Sequence, residues 1–174
     1  FMYLYLKGIF LLILLTIASE SPAQPIISEF MAQNDTVLAD EDGAFSDWIE
    51  IYNPGPGSLN LNGYYLTDDA NNLTKWRFPS QVVTAGGYVV VFASGKNRAV
   101  ADAPLHTSFA LDADGEYLAL VATNGSTVLS SFGATYPEQY RDISYGFQTQ
   151  GTNPTLRAGQ AGYLISHKKS ARAI

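Results

Sequence analysis

Between residues 47 and 52 apolar and polar side chains alternate as DWIEIY, the period of two that belongs to a β-strand. Ile49 and Ile51 share one face of it, and Trp48, Glu50 and Tyr52 share the other. A carboxylate is costly inside a core, so the two isoleucines are predicted to point inward. The same argument turns Leu118 and Leu120 inward. Residues 88–92 (YVVVF) are apolar on both faces, which marks a central strand covered on each side. Short apolar runs of this kind recur from residue 26 onward without any sustained 3.6-residue period. They predict strands over 26–32, 47–53, 59–61, 64–67, 75–78, 88–93, 108–111, 117–122, 127–132 and 144–147. The stretches between them (NPGPG at 53–57, DDANN at 68–72, AGG at 85–87, DADG at 112–115) hold the residues that fix a turn or tolerate positive φ. Asn124-Gly125, set between two apolar runs, predicts a hairpin. Many short strands at this spacing point to a sandwich or barrel, and the chain shows no internal repeat.

Composition narrows the picture. A chain of 174 residues with 47% hydrophobic and 15% charged positions can fold around one substantial core. There is no cysteine, which removes disulfides, thiolate metal sites and cysteine nucleophiles, and two histidines leave little scope for imidazole chemistry or zinc. Residues 1–23 read as a helical signal peptide. Lys7 precedes the apolar run GIFLLILLTIA at 8–18, shorter than the roughly 20 residues a membrane span needs, and Ser21 and Ala23 supply the small residues for a cut after Ala23 or Gln24. Residues 24–150 are the expected domain and 151–174 a C-terminal extension. Residues 24–166 carry 15 acids against 6 bases, a net charge of −9. Phosphate-binding surfaces need clustered Lys and Arg, so nucleic acid is disfavoured as a partner.

Seven segments in order resemble the lamin tail domain, in its bacterial secreted form: IISEFMAQN at 26–34, SDWIEIYNPG at 46–55, LNGYYLTDD at 61–69, KWRFP at 75–79, GYVVVFASG at 87–95, FALDADGEYLAL at 109–120 and SYGF at 144–147. The resemblance runs from about Ile26 to Gln148. Phe147 stands where bacterial members carry an arginine. It implies an all-β, immunoglobulin-like antiparallel β-sandwich of Greek-key type. It also implies a non-catalytic binding or tethering module of a larger extracellular or cell-surface protein, with a structural matrix protein or part of a secreted hydrolase as alternatives. The tail HKKSARAI at 167–174 is basic where the domain is acidic. It reads as a disordered, truncated or frameshifted end, and the native chain is expected to continue past Ser166.

The residues offer little for catalysis. His106 is the only histidine before the basic tail, no Gly-x-Ser-x-Gly elbow accompanies it, and it reads as a loop or strand-edge residue. The acids Glu29, Asp47, Glu50, Asp68 and Asp69 could in principle pair for glycoside hydrolysis, but nothing in the sequence sets their separation. No catalytic, cofactor-binding or metal residue is assigned. The alternative is a structural calcium ion at DEDG (40–43) or DADGE (112–116), neither of which carries the full twelve-residue ligand spacing. For a binding module the informative residues are Trp48, Tyr52, Tyr65 and Trp76, expected to form an exposed stacking surface for a protein or carbohydrate at the cell surface. The chain is expected to be secreted, extracellular or periplasmic, to meet a membrane only through an uncleaved signal peptide, and to contact further domains of a longer chain.

Overall fold

The computed structural model describes residues 24–147 and the backbone of 163–166; residues 1–23, expected to be a signal peptide, the segment 148–162 and the basic tail fall outside the described residues. Among the described residues twelve strands form: β1 (Ile26–Met31), β2 (Asp47–Tyr52), β3 (Leu59–Asn60), β4 (Tyr65–Thr67), β5 (Trp76–Arg77), β6 (Val82–Val83), β7 (Tyr88–Ala93), β8 (Leu105–His106), β9 (Ala119–Val121), β10 (Val128–Ser131), β11 (Ile143–Gly146) and β12 (Tyr163–Ser166). One sheet has the order β12-β11-β1-β2-β7-β8, a second β10-β9-β4-β5, and β3 pairs with β6 alone. Pairing is antiparallel except between β7 and β8. The chain is thus all-β, as its alternation predicts, and the immunoglobulin-like sandwich that the resemblance implies.

Ile49, Ile51, Leu118 and Leu120 are all fully buried in one apolar cluster with Ile27, Phe30, Leu66 and Phe132. Those from β1 and β2 come from the six-stranded sheet, and Leu66 and Leu120 come from the four-stranded one, so the core lies between the layers. A rotation of one residue would put Glu50 there instead, which is why the register is strongly specified. Phe30 sits at the centre of an aromatic group, with its ring 4.6 Å from Tyr136 and 4.9 Å from Phe132.

The differences from expectation are local. The strand predicted over 108–111 is reduced to a single bridge between Ser94 and Ala110, and the strand beside β7 is Leu105–His106. Thr107 explains the shift: its hydroxyl donates to the Phe109 carbonyl, bending the chain away just after the two-residue ladder. Val82–Val83 also pairs, too short to stand out in a turn-rich stretch. β12 lies within the stretch read as extension and pairs along β11 from Ile143–Ser166 to Gly146–Tyr163.

Candidate functional site

The outer face of the six-stranded sheet carries most of the chemistry. Register places its outward side chains in rows. Met31, Trp48 and Phe92 form one row, Glu29, Glu50 and Val90 the next, and Tyr52 with Tyr88 the last. The first row is roofed. Residues 34–46 fold back over it as a strap, and Leu38 packs on the Met31–Trp48–Phe92 cluster.

The strap is shaped by its own polar groups and then tied down by charge. Asn34 donates to the carbonyls of Leu38 and Ser46, at 2.6 and 2.7 Å. Asp40 accepts from the amides of Asp42 and Ala44 and from the Ser46 hydroxyl. Lys96 reaches Asp40 at 2.5 Å and Asp42 at 2.7 Å, and Arg98 reaches Glu41 at 2.6 Å and Asp42 at 2.7 Å. Burial alone would raise the Asp40 carboxyl, but Lys96 and the donors around it hold it far below the usual carboxylate range. Hydrogen bonding to His106 lowers Glu41, and Arg98 together with Lys96 lowers Asp42. At the strap's start, Asp142 accepts from the amides of Asp35 and Thr36 and from the Thr36 hydroxyl, which lowers it in turn.

His106 lies at the heart of this network, fully buried, with its ring stacked 5.2 Å from that of Phe92. Nε2 faces both oxygens of Glu41 at 2.9 Å, and Nδ1 lies 2.8 Å from Ser94 Oγ. A carboxylate can only accept, so Nε2 carries a proton, and in the neutral ring Nδ1 accepts from the serine hydroxyl. The chain Ser94–His106–Glu41 therefore has the donor order of a hydrolytic triad. In the fold it joins the end of β7, β8 and the strap. The sequence makes His106 a loop or strand-edge residue; it lies on the edge strand β8, and its partners, 12 and 65 residues away, leave no local signal.

The four aromatics expected on one surface are dispersed. Trp48 is only 6% exposed beneath the strap, and Trp76 is 2% exposed, its ring set edge-on against Phe78 in the core. The expectation of an exposed face is corrected for both indoles: alternation places Trp48 outside the main core, but it cannot reveal a loop folding over it. Tyr52 and Tyr65 are half-buried on different sheets. The partner of Tyr52 is one the sequence reading did not select. Tyr88 is paired with it in register, its ring stacked at 4.6 Å and 27°, and it is 44% exposed. The sequence makes Tyr88 part of an all-apolar central strand, and its phenol lies at the exposed end of that strand.

The carboxylates of the middle row are positioned from within the sheet. Ser144 donates to Glu29 at 2.5 Å, and Ser28, at the β1 bulge, donates to Glu50 at 2.7 Å. Gly146, opposite Glu29, cannot carry a side chain, since a Cβ there would lie 2.5 Å from the Ser28 carbonyl oxygen. The acid-rich turns show no metal-binding geometry of their own. Within 112–116, Asp112 accepts from the Asp114 amide and Glu116 from that of Asp112. Burial raises Glu116, with the charges of Asp68 and Asp112 adding to it. Among the described residues no group of three or more His, Asp or Glu side chains could hold a metal ion.

The order of motifs along this sandwich matches the Lamin Tail Domain family over residues 18–135. The chain belongs to that family. No curated protein and no solved structure matches it. The lamin tail domain is a non-catalytic, immunoglobulin-like unit with a role in protein interaction.

Proposed function

We propose that this chain is a non-catalytic, secreted module that binds or tethers, working within a larger extracellular or cell-surface protein. The observation carrying this reading is the Tyr52–Tyr88 stack: two aromatic rings held in register on a rigid sheet, one of them open to solvent. Tyrosine gives contact area at small entropic cost, and placing it on strands rather than loops keeps the surface preorganised. The signal-peptide pattern at residues 1–23 supports export, and membership of an interaction family supports binding over catalysis.

The test is retention of the purified chain on the cell-envelope and extracellular-matrix fraction of its source. Wild type should be retained, and a Tyr52→Ala/Tyr88→Ala double variant with an unchanged melting temperature should wash through. Equal retention of the two would end the assignment to this face. Export is checked separately, by fusing residues 1–30 to a reporter and sequencing the secreted N-terminus, which should begin at Gln24 or Pro25.

A further inference from the structure

We propose that Arg77 anchors an acidic residue of an extended protein segment, at a second site that lies on the four-stranded sheet and is independent of the Tyr52–Tyr88 face. Residues 24–147 carry 15 acids and 5 bases, so carboxylates are in wide excess over cations. Lys75 pairs with Asp68, Lys96 and Arg98 pair with the strap, and Arg141 pairs with Asp35. Among the described residues Arg77 is the one base without an ion pair, and it is exposed. Trp76 and Phe78 point into the core, so alternation turns Arg77 to the outer face of the sheet. There its guanidinium lies along the main chain of Gly63, where an added Cβ would stand 3.3 Å from Nη2 and 3.8 Å from Nε. Gly63 is held in turn by its amide, which donates to the Phe78 carbonyl at 3.2 Å. The planar fork is therefore placed by the fold before any ligand arrives, and less freedom is lost when it pairs with a carboxylate.

The backbone specifies an extended peptide. Among the described residues β5 is the terminal strand of its sheet. The Phe78 amide donates to the Tyr64 carbonyl at 2.8 Å, so the next pair back, Arg77 with Tyr65, is a non-hydrogen-bonded pair of the antiparallel ladder. The Arg77 amide and carbonyl consequently face away from β4, along the sheet edge. Lys75, two residues back, turns its carbonyl the same way and meets the Ser108 hydroxyl at 3.5 Å. An extended segment laid against Arg77 would exchange both backbone bonds with it and set a side chain directly opposite the guanidinium. A carboxylate in that position makes a favourable cross-strand pair, whereas a second copy presenting its own Arg77 would be repelled. The acidic excess of the domain repels a highly acidic partner at range, so the segment that fits carries a single carboxylate among neutral, strand-forming residues. An acidic saccharide could meet the guanidinium but would leave the backbone pair unused.

The experiment is an NMR titration of the isotope-labelled full chain with the blocked peptide Thr-Val-Glu-Val-Thr, with its Gln and Lys counterparts and an oligogalacturonate alongside. The Glu peptide should shift the Arg77 amide and Nε–H resonances saturably. The Gln peptide should bind about three- to tenfold more weakly, and the Lys peptide more weakly still. Arg77→Gln, with an unchanged melting temperature, should bind the Glu peptide no better than the Gln peptide. Arg77→Lys, which keeps the charge and loses the fork, should also weaken it. The Tyr52→Ala/Tyr88→Ala double variant should bind the Glu peptide as wild type does, so failure of the tyrosine face leaves this site standing. Equal binding of the Glu and Gln peptides, or no shift at Arg77, would overturn the proposal. Stronger binding of the oligogalacturonate than of the Glu peptide, lost in Arg77→Gln, would overturn the protein partner and assign the guanidinium to a saccharide.

Discussion

His106 Nε2 lies 2.9 Å from each carboxylate oxygen of Glu41, so a strap residue is fastened to a fully buried ring 65 positions further along the chain. The buried ring and the exposed cation that both hold Glu41 should behave differently when removed. His106→Ala opens a cavity beside Phe92 and takes the partner from both Ser94 and Glu41, and it should cost about 2–4 kcal/mol in chemical denaturation. Arg98→Ala removes two partly exposed ion pairs, to Glu41 and Asp42, and should cost far less, because solvent screens them. In hydrogen exchange, the amides of 37–44 should lose protection in the histidine variant well before those of β2.

The Ser94–His106–Glu41 chain has the donor order of a triad, and its environment gives a prediction about reactivity. The imidazole is enclosed, and the Ser94 oxygen also accepts from the Lys96 amide at 3.3 Å. A nucleophile needs its base free to take a proton as a substrate arrives, in a cleft with oxyanion donors. A serine-directed fluorophosphonate probe should therefore leave Ser94 unlabelled, as read by mass spectrometry. Labelling at Ser94 that disappears in His106→Ala would bring the enzyme alternative back.

Stability should fall away on both sides of a mildly acidic optimum. Asp40, Glu41, Asp42 and Asp142 are held below their ordinary values in the folded chain. Their contribution is present at neutral pH and is lost as pH falls through and below the usual carboxylate range. Asp47 runs the other way, because burial pushes it up to about 6. The folded state holds that proton more tightly than the unfolded one, so stability declines as pH rises from about 4 to about 6 and stays reduced above it. Asp47→Asn should remove this decline and raise stability at pH 7 by roughly 2 kcal/mol, as followed by urea denaturation across pH. No gain at pH 7 would show that the backbone donor from Asn34, at 3.4 Å, matters more than burial.

What was legible in the sequence followed from local periodicity. Ile49 and Ile51 could be assigned inward because Glu50 lies between them, and Leu118 and Leu120 by the same period of two, though Ala119 and Val121 beside them are buried as well; all four are buried. What was not legible depends on segments meeting at long range. Trp48 alternates outward and is still buried, since its cover comes from a loop whose only strong local signal is the turn around Asp40. The β7–β8 pair is parallel and two residues long, too short to leave a pattern. Tyr52 was identifiable as outward, but its stacking partner could be named only once β2 and β7 were known to be neighbours.

Gly115 and Gly133 both sit at positive φ, +102° and +94°, and together they separate two costs that usually come mixed. At Gly133 an added Cβ meets nothing within 4 Å, so Gly133→Ala should show the backbone penalty alone, about 1 kcal/mol. At Gly115 the same atom would run into the carbonyl oxygen of Tyr136. That carbonyl cannot easily retreat. The Tyr136 amide donates to Glu116 at 2.9 Å, its phenol donates to the Asp112 carbonyl at 2.8 Å, and its ring packs on Phe30. Gly115→Ala must therefore part the 112–116 turn from the Tyr136 segment or shift Tyr136 in the core. It should lose roughly 2–4 kcal/mol, with a matching change in near-ultraviolet tyrosine dichroism that Gly133→Ala lacks. Equal losses at the two sites would mean that the turn moves freely, and that Tyr136 does not fasten it to the sandwich.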